Sequence, residues 1–196
     1  MKINFSNKTN FTATKLDYSP KLVKLNPETS KYEEANVSLA EIDFYNPKDI
    51  QALKDTDKKW EYALLAYNIM LSAQEQNKSI KLNGTPEEQN LKIRAITTQE
   101  KDFENLDYRK ILALCEFVEK RNKGIYIRNL QIDPEIKLDT HSEYKKVGTS
   151  FLDSCKNYYN TIALRPLPSK DVINFYKQNQ FRFSKKNPDI LVWEKA

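Results

Sequence analysis

Glycine, cysteine and histidine are all scarce in this chain. Its 196 residues include three glycines, two cysteines and one histidine. Average usage near 7% would give about 14 glycines, and neither a Walker loop nor a dinucleotide-binding fingerprint occurs. No cluster of His, Cys and carboxylates has the spacing of metal ligands, so we predict no metal site. Nothing resembles a Ser-His-Asp arrangement either, which excludes the commonest hydrolase chemistry.

Long apolar runs are also absent. None approaches the roughly 20 residues that span a bilayer, and the segment from Met1 to Phe5 lacks the continuous apolar stretch of a secretory signal. Cys115 and Cys155 both lie in apolar patterns, which favours buried, reduced thiols over a disulfide or redox pair. We therefore expect a cytoplasmic protein with no membrane segment.

The chain has enough apolar material for a packed core. Hydrophobic residues make up 39% of the sequence and aromatic residues 11%, which argues against a disordered chain. A chain of this length buries roughly 70% of its unfolded surface. We expect a single domain over residues 1–196, in which residues 1–20 form an extra strand or a loose segment.

Positive charge is concentrated in one part of the chain. The net charge is +5, and the segment from Glu143 to Lys186 has nine Lys and Arg against three Asp and Glu, a local +6. Such an excess attracts a polyanion, either a nucleotide cofactor or RNA. A basic surface that is simply solvated explains the excess equally well.

The first half of the chain predicts strands followed by two helices. Residues 21–25 and 36–43 are expected to be strands around a turn, and Asn46-Pro47 to begin a helix. A second, long amphipathic helix is expected over residues 57 to about 77. Its apolar stripe is predicted to lie in the core, with a partner-binding face as the alternative; the stripe consists of Trp60, Leu64, Tyr67 and Leu71.

The second half predicts a sheet and two further helices. Residues 91–97, 111–119 and 124–133 are expected to be antiparallel strands, the middle one central because both its faces are apolar. After them we expect a loop at residues 145–150, a helix, a strand at residues 161–165, and a helix and strand to the end of the chain. The predicted fold class is α+β, a mixed and mostly antiparallel sheet flanked by helices.

Three segments between Leu130 and Phe181 share a pattern with one enzyme family. Leu130-Gln-Ile-Asp-Pro-Glu135 ends a strand, Lys145-Lys-Val-Gly148-Thr-Ser150 precedes a helix, and Ser169 to Phe181 places Val172, Phe175 and Tyr176 on the last helix. This order resembles the GNAT superfamily of acetyl-CoA-dependent N-acetyltransferases. The sequence departs from the family pattern at Ser150, where Gly or Ala is usual, at Ser169 in place of Asn, and at Gln180 in place of Gly.

The resemblance implies acetyl-CoA as co-substrate and a primary amine as acceptor. It implies that the diphosphate is bound by Lys145, Lys146, Val147, Gly148, Thr149 and Ser150, with Ser169 nearby. A helix N-terminus with free N–H groups suits phosphate oxygens, and Gly148 allows a close backbone approach. An ordinary structural turn is the alternative for Gly148.

The same resemblance also implies two catalytic groups. The backbone N–H near Ile132 binds the thioester oxygen, and Tyr176 is the general acid for the departing sulfur. A purely packing role is the alternative for Tyr176.

No general base stands out in the sequence. Glu116 is the one polar residue in an otherwise apolar strand, and burial would raise its pKa into a useful range; a structural glutamate is the alternative. His141, at the edge of the loop, is expected to be structural or solvated.

The missing base bears on the choice of acceptor. Removing the proton of a lysine side chain at pH 7 costs about 4–5 kcal/mol, whereas removing that of an α-amine costs about 1–1.5 kcal/mol. Without a strong base, an α-amine is the easier acceptor.

Other functions remain open at this stage. The departures at Ser150, Ser169 and Gln180 are also compatible with a GNAT-like interaction module that has lost catalysis. The local positive charge is compatible with a toxin-like acetyltransferase that acts on aminoacyl-tRNA, although the aromatic-interleaved basic stripe of single-strand binders is missing. An unrelated α+β domain and a homodimer are not excluded.

Overall fold

The computed structural model describes residues 12–138 and 142–195. The strands are β1 Thr14–Lys15, β2 Leu22–Asn26, β3 Lys31–Ala35, β4 Ser38–Glu41, β5 Leu91–Thr97, β6 Ile111–Lys120, β7 Gly124–Ile132, β8 Tyr144–Lys145, β9 Thr161–Leu164, β10 Arg182–Phe183 and β11 Leu191–Glu194. The larger sheet has eight strands in the order β1-β4-β5-β6-β7-β9-β11-β10, and a smaller sheet has the order β3-β2-β8. The helices are α1 Pro47–Lys59, α2 Leu64–Asn83, α3 Pro134–Leu138, α4 Val147–Tyr158 and α5 Lys170–Gln178. Within the described ranges, no helix has the length and apolar character needed to cross a bilayer.

Strand β6 is the centre of the larger sheet. Its residues from Ile111 to Val118 are all buried, as the sequence predicts for a strand covered on both faces. Residues 121–123 form a tight three-residue turn between β6 and β7, in which Asn122 and Lys123 adopt positive φ angles of 60° and 53°. β7 consequently runs antiparallel to β6, which confirms the predicted pairing.

Two hydrophobic clusters cover the two faces of the larger sheet. Leu53 of α1 and Ile69 of α2 belong to the cluster that includes Leu114 of β6. Phe151 of α4 belongs to the opposite cluster, together with Phe117 of β6. Because side chains alternate along a strand, β6 contributes to both clusters. We call the two sides of the sheet the α1/α2 face and the α4/α5 face.

The boundary between the first two helices differs from the sequence prediction. α1 begins where expected, and the Asn46 side chain caps it by accepting a hydrogen bond from the backbone N–H of Lys48 at 3.0 Å. It continues to Lys59, and α2 begins only at Leu64, so no single helix spans residues 57–77. Between them, Glu61 and Tyr62 have φ angles of 53° and 58°. Two successive residues in this left-handed region end the helical path.

The predicted core stripe of α2 is mostly exposed. Trp60 is buried, but Leu64, Tyr67 and Leu71 are 67%, 40% and 37% exposed, so for these three residues the core prediction is wrong. The helix instead turns a second apolar face to the sheet, and that face includes Ala66, Ile69, Met70 and Ala73. Small residues such as alanine let a helix approach a sheet closely, which the sequence pattern of large residues did not reveal.

The N-terminal strands also pair differently from the prediction. β2 forms a hairpin with β3, whereas β4 joins the larger sheet beside β5. β1 adds a two-residue edge strand next to β4. Residues 1–11 lie outside the described part of the chain.

Candidate active site

The parallel neighbours β7 and β9 separate and leave a gap in the sheet. They pair only between Gly124–Ile127 and Thr161–Leu164, although β7 continues to Ile132. At the point of separation, the β6–β7 pairing skips Arg128, which is therefore the extra residue of a β-bulge. A bulge bends its strand and increases its twist. The bulge therefore turns the second half of β7 away from β9.

The gap forms the middle of a cleft of about 540 Å³. This volume lies in the range of about 300–1,000 Å³ that small-molecule sites occupy. Four parts of the chain line the cleft: α2 with Leu64 and Leu65, β7 with Ile127, Arg128, Leu130, Gln131 and Ile132, the segment after β9 with Leu164, Arg165, Pro166 and Leu167, and α5 with Ser169, Asp171, Val172, Phe175 and Tyr176. Most of these side chains are apolar, which is typical of a ligand site with few orienting polar groups.

The cleft passes through the sheet. Leu130 and Ile132 pack against the cluster on the α4/α5 face. Gln131 lies between them in β7, so its side chain points to the α1/α2 face, and Leu64 and Leu65 of α2 line the same cleft. Two molecules can therefore approach the gap from opposite faces.

The edge of β7 presents backbone groups to the cleft. The Asp133 N–H donates to the Leu112 carbonyl of β6 at 3.0 Å. Successive N–H groups of a strand point to opposite sides, so the N–H and C=O of Ile132 point away from β6. The Gln131 side chain covers part of this edge, because its Nε2 donates to the Ile132 carbonyl at 2.6 Å. The Ile132 N–H, predicted from the resemblance to bind a thioester oxygen, thus faces the cleft; its role stays a prediction.

Tyr176 contributes a hydroxyl to the same cleft. Its ring packs edge-on against Phe175 and Phe181, with centroid distances of 5.1 Å and 5.6 Å. Burial raises the pKa of Tyr176 above its ordinary value of 10, and the nearby Cys115 thiol contributes a smaller increase. The hydroxyl therefore keeps its proton at neutral pH and can act as a hydrogen-bond donor.

The predicted phosphate loop is largely a helix start. Lys145 lies in β8, where it pairs with Val23, and its Nζ lies 4.0 Å from the centroid of the Tyr32 ring. α4 already begins at Val147, directly after Lys146, which has a φ of 67° and provides no side-chain cap. Neither lysine lines the cleft. The expectation of an open loop over residues 145–150 is wrong, because strand pairing and the first helical turn occupy this segment.

The first turn of α4 is closed to a phosphate in two ways. The Ser150 hydroxyl is not available to a ligand, because it donates to the Lys21 carbonyl; the Ser150 N–H makes the ordinary first bond of the helix, to the Lys146 carbonyl at 2.8 Å. A Cβ placed on Gly148 would lie 2.9 Å from Ile132 Cδ1 and 2.9 Å from Phe175 Cζ. The tips of these two side chains therefore cover Gly148. A diphosphate can reach the N–H groups of Val147, Gly148 and Thr149 only if these two side chains move aside.

The remaining candidates lie in different places. Ser169 precedes α5 and lines the cleft, without capping the helix through its side chain. Glu116 is buried in β6 on the α1/α2 face, where it accepts a hydrogen bond from Asn129 Nδ2 and lies 3.7 Å from an Arg128 nitrogen. It does not line the cleft. His141 lies outside the described residues, and no metal-binding group of three or more His, Cys, Asp or Glu residues occurs in the described ranges.

Some residues of the cleft were not identified from the sequence, among them Leu64, Leu65, Gln131 and Leu167. They come from α2, β7 and the segment after β9, which are distant in the chain. The sequence Arg165-Pro-Leu-Pro-Ser169 is the only signal that could have identified Leu167, because two prolines end a strand and force an exposed connection.

Comparisons with known proteins reveal similarity at the level of structure alone. No protein-family model matches the sequence, and no curated protein is similar to it. A crystal structure from Desulfovibrio desulfuricans, of a protein assigned to the GNAT family of acetyltransferases, has a TM-score of 0.50 at 9% identity, with coverage of 82% of this chain and 99% of that one. An acetyltransferase from Streptococcus agalactiae has a TM-score of 0.49 at 13% identity, with coverage of 82% and 98%. The predicted mixed, mostly antiparallel α+β class is confirmed, and the chain has the fold of the GNAT acetyltransferases.

Proposed function

We propose that the protein is an acyl-CoA-dependent N-acetyltransferase that transfers the acetyl group of acetyl-CoA to a primary amine. The observation that carries the proposal is the cleft between β7 and β9. It is open to both faces of the sheet and combines the free edge of β7 with the Tyr176 hydroxyl. Such an arrangement suits a reaction between two substrates, since each can enter from its own side.

The residues of the cleft fit the narrow, amide-containing chain of acetyl-CoA better than they fit its diphosphate. The apolar walls formed by Val172 and Phe175, together with the free edge of β7, suit a narrow chain that contains amide groups. The diphosphate has a less open site, because Ile132 and Phe175 cover Gly148. When bound, acetyl-CoA supplies an acetyl group activated as a thioester.

We assign two groups that border the cleft to the acyl-transfer step. The Ile132 N–H would donate a hydrogen bond to the oxygen that gains negative charge, as in an oxyanion hole. The Tyr176 hydroxyl would donate a proton or a hydrogen bond to the departing sulfur. Both groups face the same cleft, so one ligand can contact them together.

The acceptor is proposed to be a weakly basic amine. Glu116 is held by Asn129 and Arg128 away from the cleft lining, which makes it a poor candidate for the base. An α-amine needs about 3 kcal/mol less than a lysine side chain to lose its proton at pH 7. No described cleft residue is a buried carboxylate, since Asp171 is exposed on α5, and this favours an α-amine acceptor.

A catalytically impaired acyl-CoA-binding module is the second candidate. The covered first turn of α4 favours it, because the tips of Ile132 and Phe175 lie over Gly148 and the Ser150 hydroxyl is already bonded to the Lys21 carbonyl. Such a module would bind acetyl-CoA weakly and release no thiol in the presence of amines.

Calorimetric titration with acetyl-CoA and a thiol-release assay with a panel of amines distinguish the two. The enzyme binds acetyl-CoA and releases thiol only when an amine is present. Val172→Trp, which fills the cleft, should abolish binding, whereas Asn174→Trp, on the exposed side of the same helix, should not. Binding without turnover would leave the module as the function, and no binding at millimolar acetyl-CoA would refute both candidates.

A further inference from the structure

The α1/α2 end of the cleft has an apolar entrance. Leu64 and Leu167 both line the cleft and are exposed, and Leu65 lies between Leu64 and the core face of α2. Tyr62, also exposed, lies in the left-handed connection just before α2. Two leucines held at the mouth of a cleft gain free energy only when a ligand covers them.

The charged groups around the cleft largely compensate one another. Arg128 and Arg165 line it, and the carboxylate among its described lining residues is that of Asp171 on α5. Glu88 pairs with Arg128 at 2.9 Å, whereas Asp189 lies 3.9 Å from Arg165 at an exposed position. Glu116 also lies 3.7 Å from Arg128, so carboxylates largely neutralise both guanidinium groups and charge alone does not select the acceptor. The selection is left to the apolar entrance, because a polyamine has no bulky apolar group with which to cover Leu64 and Leu167.

We propose that the acceptor carries a bulky apolar group on the carbon next to its amine, and that Leu64, Leu65 and Leu167 bind this group. The inference rests on the proposed acetyltransferase function and names the substrate class of the same site. The α1/α2 end is assigned to the acceptor because Tyr176 and the Ile132 side chain belong to the cluster on the opposite face. Both a free apolar amino-acid amide and a peptide with an apolar N-terminal residue have the required chemistry.

Steady-state thiol release with matched amines tests this substrate class. The acceptors are leucinamide, glycinamide, the peptide Leu-Gly-Gly amide and spermidine, each with acetyl-CoA. We expect kcat/KM for leucinamide to exceed that for glycinamide about ten-fold or more, since burial of a leucine side chain favours binding. Spermidine should be the poorest acceptor. A higher kcat/KM for the peptide than for leucinamide would identify a peptide N-terminus as the source, and the reverse would identify a small amine.

Substitutions at the entrance connect the preference to the proposed residues. Leu64→Ser and Leu167→Ser should each reduce the leucinamide-to-glycinamide ratio about three- to ten-fold. Leu71→Ser is the matched control, because Leu71 is an exposed leucine of the same helix that does not line the cleft. It should leave the ratio unchanged.

Three results would overturn the inference: equal use of leucinamide and glycinamide, a preference for spermidine, or an equal change of the ratio in Leu71→Ser. A Leu64→Ser variant that altered the choice between acetyl-CoA and hexanoyl-CoA instead would assign the entrance to the acyl chain. Thiol release with some amine but no apolar preference would refute this inference alone. No thiol release with any amine would refute the proposed function itself.

Discussion

Replacing Tyr176 with phenylalanine should separate catalysis from packing. The substitution removes one hydroxyl and keeps the ring contacts with Phe175 and Phe181. Tyr176 is a core residue that also lines the cleft, and its hydroxyl has no hydrogen-bond partner among the described residues. The free energy of unfolding should therefore change by less than about 1 kcal/mol.

The expected effect on turnover is much larger. General acid catalysis contributes about 10²- to 10⁴-fold. A thiolate is a fair leaving group because thiols have a pKa near 8.5, so the lower end applies. Because burial raises the pKa of Tyr176, the hydroxyl is a weaker acid and acts mainly as a hydrogen-bond donor to the sulfur. We expect kcat to fall about 100-fold, which corresponds to about 2.7 kcal/mol of transition-state stabilisation.

Thiol release at saturating acetyl-CoA and amine measures this effect directly. The raised pKa also predicts that the wild-type rate shows no loss from tyrosine ionisation below about pH 10. Tyr158→Phe is the control, because Tyr158 lies on α4 outside the cleft lining and should retain full kcat. A kcat for Tyr176→Phe within two-fold of the wild type, with an unchanged melting temperature, would show that Tyr176 serves packing alone.

Three further predictions concern stability and ligand affinity. Burial raises the pKa of Asp49 from its ordinary 3.8 to about 7, so above pH 4 the folded state holds a proton that the unfolded state releases. Its contribution to the free energy of unfolding is therefore present in full below pH 4 and should fall by up to about 4 kcal/mol as the pH rises to 7. Urea unfolding between pH 4.5 and 8 should show this slope in the wild type and a flatter one in Asp49→Asn, and equal slopes would contradict the assignment. Asn46→Ala removes the cap of α1 and should cost about 1 kcal/mol, or about 2–4 °C in melting temperature by calorimetry; no change would mean that solvent replaces the cap. Gly148→Ala places a methyl group against Ile132 and Phe175 and should raise KM for acetyl-CoA with little change in kcat, whereas an unchanged KM would place the ligand away from α4.

Much of the fold was predictable because its signals are local. The two apolar faces of β6 identified the central strand, the Asn46-Pro47 pair identified the start of α1, and the turn at 121–124 identified the antiparallel neighbour β7. Tyr176 became a candidate through the resemblance of the last helix to the short GNAT pattern, and its role stays a prediction. Each of these features depends on a few neighbouring residues, so no distant contact was needed to infer it.

The first turn of α4 and the stripe of α2 show why the rest was not predictable. The sequence around Gly148 suits a phosphate loop, yet the tips of Ile132 and Phe175, from β7 and α5, cover it. Leu64 and Leu71 have helical spacing, but the spacing does not say which face of α2 meets the sheet. Both outcomes depend on packing between elements that are far apart in the chain.

The sequence by itself determined the order and type of most elements and the apolar character of the core, and its resemblance to the GNAT superfamily made Tyr176 the candidate acid. Only the tertiary structure decided that β7 and β9 separate at the Arg128 bulge, and that Leu64 and Leu167 both line the resulting cleft. The physical reason is that propensity and periodicity act over one or two turns of chain, whereas a cleft arises from strand register and from the close packing of side chains contributed by separate segments.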